Sequence, residues 1–242
     1  MINSTVEADF DRLALLDDQG WTVNNHYHPL LLRYVPQGCE KALEVGCGTG
    51  SFARQLAARC KRVVAIDLSA EMIRVARERA SQTENLKPKQ VGKVEFQSAD
   101  VEFQLADVMT WEFPRGQFDF ICSIATMHHL PQRELLPKMR DALRPGGVLV
   151  VLDLVKSETL RERMLDVAAM GVSVSLRLIH NGRLQPPPEV RKAWEQHGKQ
   201  DHYSTLKEIR ALADEILPGA SVIRCLLWRY LLVYKNKGAE LS

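Results

Sequence analysis

The feature that most restricts the fold of this chain is an apolar segment that runs directly into three glycines. Ala42–Val45 is followed by Gly46, Gly48 and Gly50, so every second residue of the turn lacks a side chain. Glycine permits a sharp turn after a strand and lets a ligand lie directly against the backbone. A plain connection from a strand to a helix seldom needs three glycines. The segment therefore predicts a strand, a turn that binds an adenosine-like ligand, and a helix.

Residues 39–155 alternate short β-branched runs with amphipathic stretches, which is typical of a parallel sheet flanked by helices. The connection after the third predicted strand is too short for a full helix. We expect an α/β fold, a doubly wound and mostly parallel Rossmann-like sheet of seven strands with helices on both faces. The predicted strands of the core are Lys41–Val45, Arg62–Ile66, Val101–Ala106, Phe118–Ser123 and Gly147–Leu152, and its predicted helices are Phe52–Cys60, Ser69–Ala80 and Arg133–Leu143.

The length of 242 residues predicts one domain, which we divide into four segments. Residues 1–38 are an N-terminal helical flap, 39–155 the ligand-binding core, 156–204 a variable insertion that includes a helix at Ser157–Met170, and 205–242 a C-terminal helix and strand pair. The last two β-rich runs, separated by Trp228, predict either a tight bend or one long bent strand. We expect an antiparallel strand in this pair.

Residues 94–101 are repeated almost unchanged as residues 101–108. Only one copy can occupy a given strand of the sheet, and we assign the strand to the second copy. A harmless duplication that lengthens an exposed loop is the simplest interpretation. Its role stays open at this point.

Composition excludes several classes of protein. The chain carries 32 Lys and Arg against 30 Asp and Glu, a net charge of +2. This balance gives no strong attraction to nucleic acid or to an anionic membrane, so we expect neither as a partner. The five dispersed cysteines lack a C-x-x-C pair, which predicts reduced thiols and a cytoplasmic location. The acidic N-terminus and the short apolar runs predict neither a signal peptide nor a membrane anchor.

The details of the glycine turn distinguish between two kinds of nucleotide ligand. The nicotinamide-binding fingerprint has a third glycine at the sixth position, where this chain has Ser51. Glu44, two residues before the first glycine, would face an anionic pyrophosphate unfavourably but suits a cationic ligand. The turn therefore favours a sulfonium compound over NAD.

With these residues, the sequence resembles the class I S-adenosylmethionine-dependent methyltransferases, in particular the broad methyltransferase-domain group. The resemblance covers about residues 35–155. Four segments carry it, namely Glu44–Gly50, Asp67 at the end of Val63-Val-Ala-Ile-Asp67, Ala106-Asp107, and Leu143-Arg-Pro-Gly-Gly147. It implies S-adenosyl-L-methionine as cofactor, S-adenosyl-L-homocysteine as product and no metal. Its motifs specify the cofactor and leave the methyl acceptor open.

The resemblance also implies roles for single residues. Glu44 would hold the methionine ammonium, Asp67 both ribose hydroxyls, and Asp107 the adenine amine. We prefer Asp107 to Asp100 because the family's acid typically lies eleven residues before the Phe of the next Phe-Asp strand, here Phe118. The predicted cofactor-binding set is Glu44, Gly46, Cys47, Gly48, Gly50, Asp67, Leu68, Met72, Ala106, Asp107, Val108, Ser123 and Ile124.

Two histidines after the fourth predicted strand are the candidate general bases. An imidazole near its ordinary pKa can take a proton from a phenol, an acid or an amine, and His128 and His129 follow a strand end where ligands of such sheets lie. A His-His-Leu sequence is also common in this group whatever the acceptor, which favours a role in packing or beside the cofactor. Both interpretations stay open.

Tyr27 and His28 are predicted walls of the substrate pocket, although an ordinary helix with exposed polar residues explains them equally well. A four-histidine metal site that joins His26 and His28 to the later pair is rejected, because the donor needs no metal. Trp194, His197, His202 and Tyr203 of the insertion are candidate substrate contacts, whereas Arg229 and Tyr230 suggest surface charge and sheet packing.

We therefore expect a methyltransferase that acts on a small molecule by in-line displacement at the sulfonium methyl. Short appendages and the lack of a separate macromolecule-binding domain favour the small acceptor. The alternatives are an RNA or protein methyltransferase, a cofactor-binding protein without catalysis, and an NAD oxidoreductase.

Overall fold

The computed structural model of the protein describes residues 2–16, 20–86, 100–198 and 201–238. Seven strands form one sheet, and five of them, together with the helices between them, build the predicted core. The strands are β1 Cys39–Val45, β2 Cys60–Asp67, β3 Asp100–Leu105, β4 Phe118–Ile124, β5 Leu143–Leu154, β6 Ser221–Arg224 and β7 Arg229–Lys235.

The spatial order of the strands is β3-β2-β1-β4-β5-β7-β6. Neighbours among β1 to β5 are parallel, and β7 is antiparallel to both β5 and β6. The prediction of an α/β sheet of seven strands with an antiparallel strand in the last pair is confirmed. Residues 106–117, all of them described, contain no helix between β3 and β4, as their short length predicts.

Eight α-helices accompany the sheet in the described residues. They are α1 Ile2–Leu16, α2 Val23–Leu31, α3 Ser51–Leu56, α4 Ala70–Leu86, α5 Gln132–Ala142, α6 Leu160–Asn181, α7 Pro188–His197 and α8 Leu206–Ile216, with 3-10 turns at Leu32–Tyr34 and Met127–His129. α1 packs against α4 and α7, and α8 packs against α5 and β6.

The buried side chains of the sheet alternate between two apolar layers, because successive residues of a strand point to opposite faces. Leu43 of β1 belongs to the layer that includes buried residues of α5 and α8. Its neighbour Ala42 belongs to the other layer, with buried residues of α2, α3 and α4. Both faces of the central strands are therefore buried, which explains their continuous apolar sequences.

The helix of the insertion is longer than predicted. It begins at Leu160, where Thr159 and Glu162 form a capping box, and it continues to Asn181. Gly171 lies inside the helix and does not end it, whereas Gly182 ends it with a left-handed φ of 66°. One glycine alone does not stop a helix unless the chain takes the left-handed conformation there.

A tight bend joins the two strands of the predicted C-terminal pair. β6 and β7 are antiparallel neighbours, and Leu227 and Trp228 between them have positive φ values of 56° and 60°. These φ values suit the right-handed twist of a hairpin, although glycine usually supplies them. The alternative of one long bent strand is wrong.

The motif Leu143-Arg-Pro-Gly-Gly147 lies inside β5 instead of forming a separate turn. α5 ends at Ala142, and β5 begins at the next residue. Its pairing with β4 shifts in register between Phe118 and Phe120. The proline and glycines therefore make an irregular strand start.

The expectation that all five cysteines are reduced is wrong for two of them. Cys39 and Cys60 form a disulfide, with their Cα atoms 4.6 Å apart. They are register partners at the first residues of the parallel strands β1 and β2. Sequence spacing did not show this pair because only the register of the sheet brings the two residues together.

A helix that crosses a membrane needs about 20 consecutive, mainly apolar residues. Among the helices of the described residues, none combines the length and the hydropathy that this requires.

Candidate active site

The glycine turn connects β1 to α3 in the left-handed region of backbone conformation. Gly46, Gly48 and Gly50 have φ values of 72°, 52° and 71°. A Cβ at Gly46 would lie 2.2 Å from Oγ1 of Thr126, and one at Gly50 would lie 2.6 Å from the ring of Phe103. At Gly48 the nearest atom is 3.9 Å away. Two of the glycines thus allow the chain to pack on itself, and Gly48 leaves open space for a ligand.

Glu44 is a buried carboxylate near the end of β1, with 2% of its surface exposed. It accepts a hydrogen bond from the backbone N–H of Ala53, and Oε2 has no hydrogen-bond donor among the described residues. Burial, and then the charge of Asp67, raise the pKa of Glu44 well above its ordinary value. A buried carboxylate oxygen that lacks a partner fits a cationic ligand such as the ammonium of S-adenosylmethionine.

Asp67 ends β2 and faces the glycine turn. Its Oδ2 accepts the N–H of Gly48 at 2.8 Å, and its Oδ1 accepts the N–H of Ser69 at 3.0 Å. Burial raises the pKa of Asp67. The cap of α4 comes from Ser69, whose Oγ accepts the N–H of Met72 at 3.0 Å. Asp67 therefore does not cap the helix, and its carboxylate is held at the edge of the ligand site.

The two candidate adenine acids lie at opposite ends of β3. Asp107 follows the carboxyl end of the strand, lines the cavity described below, and accepts the N–H of Met109 at 2.9 Å through Oδ1. Asp100 is the exposed first residue of β3 and lies opposite Arg62 of β2. Ligands of parallel sheets bind at the carboxyl ends of the strands, so the position of Asp107 suits the role and that of Asp100 does not.

A cavity of about 650 Å³ lies at the carboxyl ends of the parallel strands. Most of the predicted cofactor residues line it, namely Glu44, Gly46, Cys47, Gly48, Asp67, Leu68, Met72, Ala106, Asp107, Val108 and Ile124. Gly50 and Ser123 lie outside this lining. Ser123 is buried inside the sheet, where its Oγ donates to the carbonyl of Val45 at 3.0 Å.

His128 lies on the cavity wall in the 3-10 turn after β4. Its Nδ1 is 2.7 Å from Oδ1 of Asp153, which is fully buried near the end of β5. The same oxygen accepts the backbone N–H of Leu154 at 2.8 Å. The nearest carboxylate oxygen to Nε2 belongs to Asp201 and is 3.9 Å away. The imidazole is therefore fixed through one nitrogen.

His129 also lines the cavity, but both of its nitrogens have neighbours. Nδ1 is 3.4 Å from Oδ1 of Asp201, and Nε2 is 3.3 Å from Nε2 of His197 on α7. Burial, and then the proximity of His128, lower the pKa of His129 to about 4. This histidine connects the turn after β4 to the elements that cover the cavity.

Of the two predicted pocket walls near the N-terminus, only His28 lines the cavity. Its Nδ1 is 2.8 Å from Nε2 of Gln55, and burial lowers its pKa to about 4. Tyr27 points elsewhere, because its hydroxyl donates to the carbonyl of Leu226. The prediction of a substrate contact at Tyr27 is not supported by this position.

Of the candidate substrate contacts in the insertion, Trp194, His197 and Tyr203 line the cavity, and His202 is not part of the lining. Sequence reasoning missed Asp201 and Arg229, which also line it. Tyr203 donates to Oδ2 of Asp201 at 2.6 Å. Arg229 is 9% exposed and donates to Oδ1 of Asn24, so the assignment to surface charge is wrong. Asp153 could have been suspected only because it is an acid within the apolar sequence of β5. Asp201 has no comparable pattern around it.

Three of these side chains offer atoms of the kind that bind metal ions. The ligand-type atoms of His128, His129 and Asp201 all lie within 4.8 Å of one another.

Comparisons with known proteins agree with this geometry. Residues 42–147 match the family model described as a methyltransferase domain. An uncharacterized methyltransferase of Mycobacterium tuberculosis is 31% identical over 225 residues, which cover 90% of this chain and 98% of that protein. The ubiquinone biosynthesis O-methyltransferase of Xylella fastidiosa is 26% identical over 206 residues, or 79% of this chain and 77% of that enzyme.

A solved structure shows the same fold. The N-methyltransferase NodS of Bradyrhizobium japonicum, in complex with S-adenosyl-L-homocysteine, has a TM-score of 0.59 at 18% identity and covers 98% of this chain and 99% of its own. The sheet topology, the glycine turn and the near full-length mycobacterial relative lead to one assignment. The chain belongs to the class I S-adenosylmethionine-dependent methyltransferases.

Proposed function

We propose that this protein, acting as one catalytic domain, transfers the methyl group of S-adenosylmethionine to a small molecule. The observation that carries the proposal is a cavity of about 650 Å³ that extends from Glu44 and Asp67 to His128 and His129. A cavity of this size is within the usual range for small ligands. The cofactor supplies an electrophilic methyl group on a sulfonium.

The chain's own residues then have two tasks. Glu44 holds the ammonium of the cofactor. Asp67 accepts hydrogen bonds from the ribose hydroxyls, and Asp107 accepts one from the adenine amine. The backbone of the glycine turn lies against the cofactor. His128 and His129 border the reacting atoms, and His28 forms part of the acceptor wall. Holding the acceptor close and in line within a site that excludes water supplies most of the rate enhancement.

The acceptor class is supported by two observations. Residues of the chain's own helices α1, α6 and α7 line the described cavity, and such a concave site suits a small ligand better than a polymer. The Xylella relative is named for a role in ubiquinone biosynthesis, and ubiquinone is a small molecule. Neither observation names the compound.

The assay that tests the proposal uses labelled S-adenosylmethionine and a protein-free metabolite extract of the source organism. We expect label in a low-molecular-weight product that mass spectrometry identifies. Label found only in added RNA or protein would contradict the small acceptor. Calorimetry with NAD and S-adenosylmethionine provides the second arm, and tight binding of NAD alone would contradict methyl transfer altogether.

Replacing Asp107 by alanine is expected to weaken S-adenosylmethionine binding at least about tenfold, because one hydrogen bond to a charged acceptor is worth about 1.5–3 kcal/mol. Asp100→Ala is the matched control, since Asp100 is an exposed acid on the same strand. Calorimetry of both variants measures the difference. A loss of affinity in the Asp100 variant with none in the Asp107 variant would reverse the assignment.

Removal of divalent metals is expected to leave turnover unchanged, since displacement at a sulfonium needs no Lewis acid. The measurement compares the rate before and after dialysis against EDTA. A loss of activity that zinc or magnesium restores would contradict this expectation.

A further inference from the structure

The two adjacent histidines are held in different ways, and the difference identifies which of them can act on a proton. His128 has a buried carboxylate on Nδ1, at 2.7 Å, and its side chain is 6% exposed. Its Nε2 has no hydrogen-bond partner in the described part of the chain, and the residue lines the cavity. An ionised carboxylate on Nδ1 fixes the N–H at that nitrogen, so the lone pair of Nε2 faces the ligand.

His129 does not have this arrangement. Its two nitrogens face Asp201 at 3.4 Å and His197 at 3.3 Å. The rings of Phe10 and His197 pack against it at centroid distances of 5.6 and 4.9 Å. Since its pKa is lowered to about 4 by burial, His129 is a weak base. Its contacts hold α1 and α7 over the cavity.

The groups around His128 come from four elements. Asp153 of β5 contacts Nδ1, and Asp201 lies 3.9 Å from Nε2. The ring of Tyr203 packs at a centroid distance of 5.3 Å, and its hydroxyl donates to Asp201. His129 is adjacent in the same turn, with ring centroids 3.8 Å apart.

Arg229 of β7 completes this group. It lies near Asp153 and Tyr203, and their charges act on its pKa against the lowering effect of burial. The buried Arg229 therefore places a positive charge beside the pair of His128 and Asp153. Oδ2 of the fully buried Asp153 has no hydrogen-bond partner among the described residues.

We propose that the methyl acceptor is the oxygen of a hydroxyl group, whose proton His128 accepts through Nε2, and that Asp153 is the residue that positions His128. This inference rests on the proposed methyl transfer and names the acceptor atom for it. The cavity that His128 lines also carries Trp194, Val190 and Tyr203, which suits a hydroxyl on an apolar or aromatic body.

The reaction balances without a further reactant. The acceptor oxygen forms a bond to the methyl carbon while the bond from that carbon to sulfur breaks, and its electron pair stays on sulfur. The hydroxyl proton passes to Nε2 of His128, and the resulting imidazolium is stabilised by Asp153. Release of the proton to water then restores the neutral imidazole.

Acceptor groups other than a hydroxyl gain less from a general base such as the His128–Asp153 pair. A carboxylic acid is already ionised at neutral pH and needs no base. A neutral amine can attack first and lose its proton afterwards. A hydroxyl must lose its proton as the new bond forms, because the methylated, still protonated oxygen is a very strong acid. The His128–Asp153 pair is therefore best explained by an O–H acceptor.

The orientation of the imidazole can be measured without the acceptor. The protein is labelled with ¹⁵N-histidine and saturated with S-adenosylmethionine, and the signals of His128 are assigned from a His128→Gln variant. We expect the Nδ1–H tautomer in the wild type and its loss in Asp153→Asn. An Nε2–H tautomer in the wild type would overturn the proposal.

The chemical nature of the labelled product in the extract assay identifies the acceptor atom. We expect an ether, in which the label resists hot alkali. Label released as methanol by alkali would show an ester, and label on nitrogen or sulfur would show another acceptor; each result would overturn the inference while methyl transfer itself stands. A protein that binds S-adenosylmethionine but labels no product overturns the proposed function, and the role of His128 with it.

Kinetics with the purified acceptor separate catalysis from structural support. His128→Gln is expected to lower turnover at least about 100-fold at pH 7, the usual contribution of a general base. The turnover of this variant should rise about tenfold for each unit of increasing pH, because the ionised fraction of the acceptor hydroxyl rises by that factor. Asp153→Asn should show the same pattern with unchanged S-adenosylmethionine affinity. His26→Gln, at an exposed histidine of α2, is the matched control and should retain full turnover.

Two outcomes would overturn the proposal in this experiment. The first is unchanged turnover in Asp153→Asn. The second is a rate in His128→Gln that is low but does not rise with pH, which is the result expected of a residue that only supports the fold.

Discussion

Replacing Asp67 by asparagine is expected to weaken the binding of S-adenosylmethionine about 100-fold. Asparagine keeps the shape of the side chain but loses the charge, and hydrogen bonds to a charged group contribute about 1.5–3 kcal/mol each. It also presents an amide N–H₂ toward the backbone N–H groups of Gly48 or Ser69, both of which now donate to Asp67. Calorimetry with S-adenosylmethionine and S-adenosylhomocysteine measures the effect.

Asp100→Asn is the matched control for this experiment. Asp100 is an exposed acid at the far end of β3, and its replacement should leave cofactor affinity within twofold of the wild type. Equal affinities in the Asp67 variant and the wild type would show that the carboxylate only ties the glycine turn to β2. In that case the ribose must be held by other groups.

Gly46→Ala is expected to lower the free energy of unfolding by roughly 3–5 kcal/mol, the sum of left-handed backbone strain and a steric overlap. The added Cβ would lie 2.2 Å from Oγ1, 2.4 Å from Cγ2 and 2.7 Å from Cβ of Thr126. Rotation of the threonine side chain cannot remove an overlap with its Cβ. Denaturant unfolding measures the loss, and cofactor affinity should fall with it.

Gly38→Ala separates the two contributions. Gly38 has a φ of 69°, close to the 72° of Gly46, but a Cβ there would meet nothing within 4 Å among the described residues. Its replacement should therefore cost only about 1–2 kcal/mol, the strain of the left-handed conformation. Equal losses in the two variants would show that the contact between the glycine turn and Thr126 does not constrain the fold.

The cofactor side of the cavity could be predicted from sequence because local patterns determine it. An apolar run followed by glycines defines a strand and its turn, and acids at the ends of the next two strands are brought to the same edge by parallel pairing. Glu44, Asp67 and Asp107 therefore lie on one cavity although they are distant in sequence. Asp107 could be chosen over Asp100 because its spacing to Phe118 matches the spacing that the family resemblance implies.

The acceptor side could be predicted only in part, since His197 and Tyr203 were candidate substrate contacts but Asp201 and Arg229 were not. His197, Asp201 and Tyr203 follow the core, and only tertiary packing of α7 and the segment after it brings them to His128. Arg229 was expected to be a surface charge. In the structure β7 lies between β5 and β6, so its first residue is buried. The disulfide of Cys39 and Cys60 depends on strand register in the same way.

The separate origin of the two cavity walls has a consequence for how such an enzyme can diverge. The wall that meets the cofactor is formed by strand ends whose residues also hold the sheet together, so changes there disturb folding. Much of the opposite wall is formed by α1, α6 and α7, which are attached to the outside of the sheet. The helices that we propose to contact the acceptor can therefore change during evolution while the residues proposed to bind the cofactor stay the same.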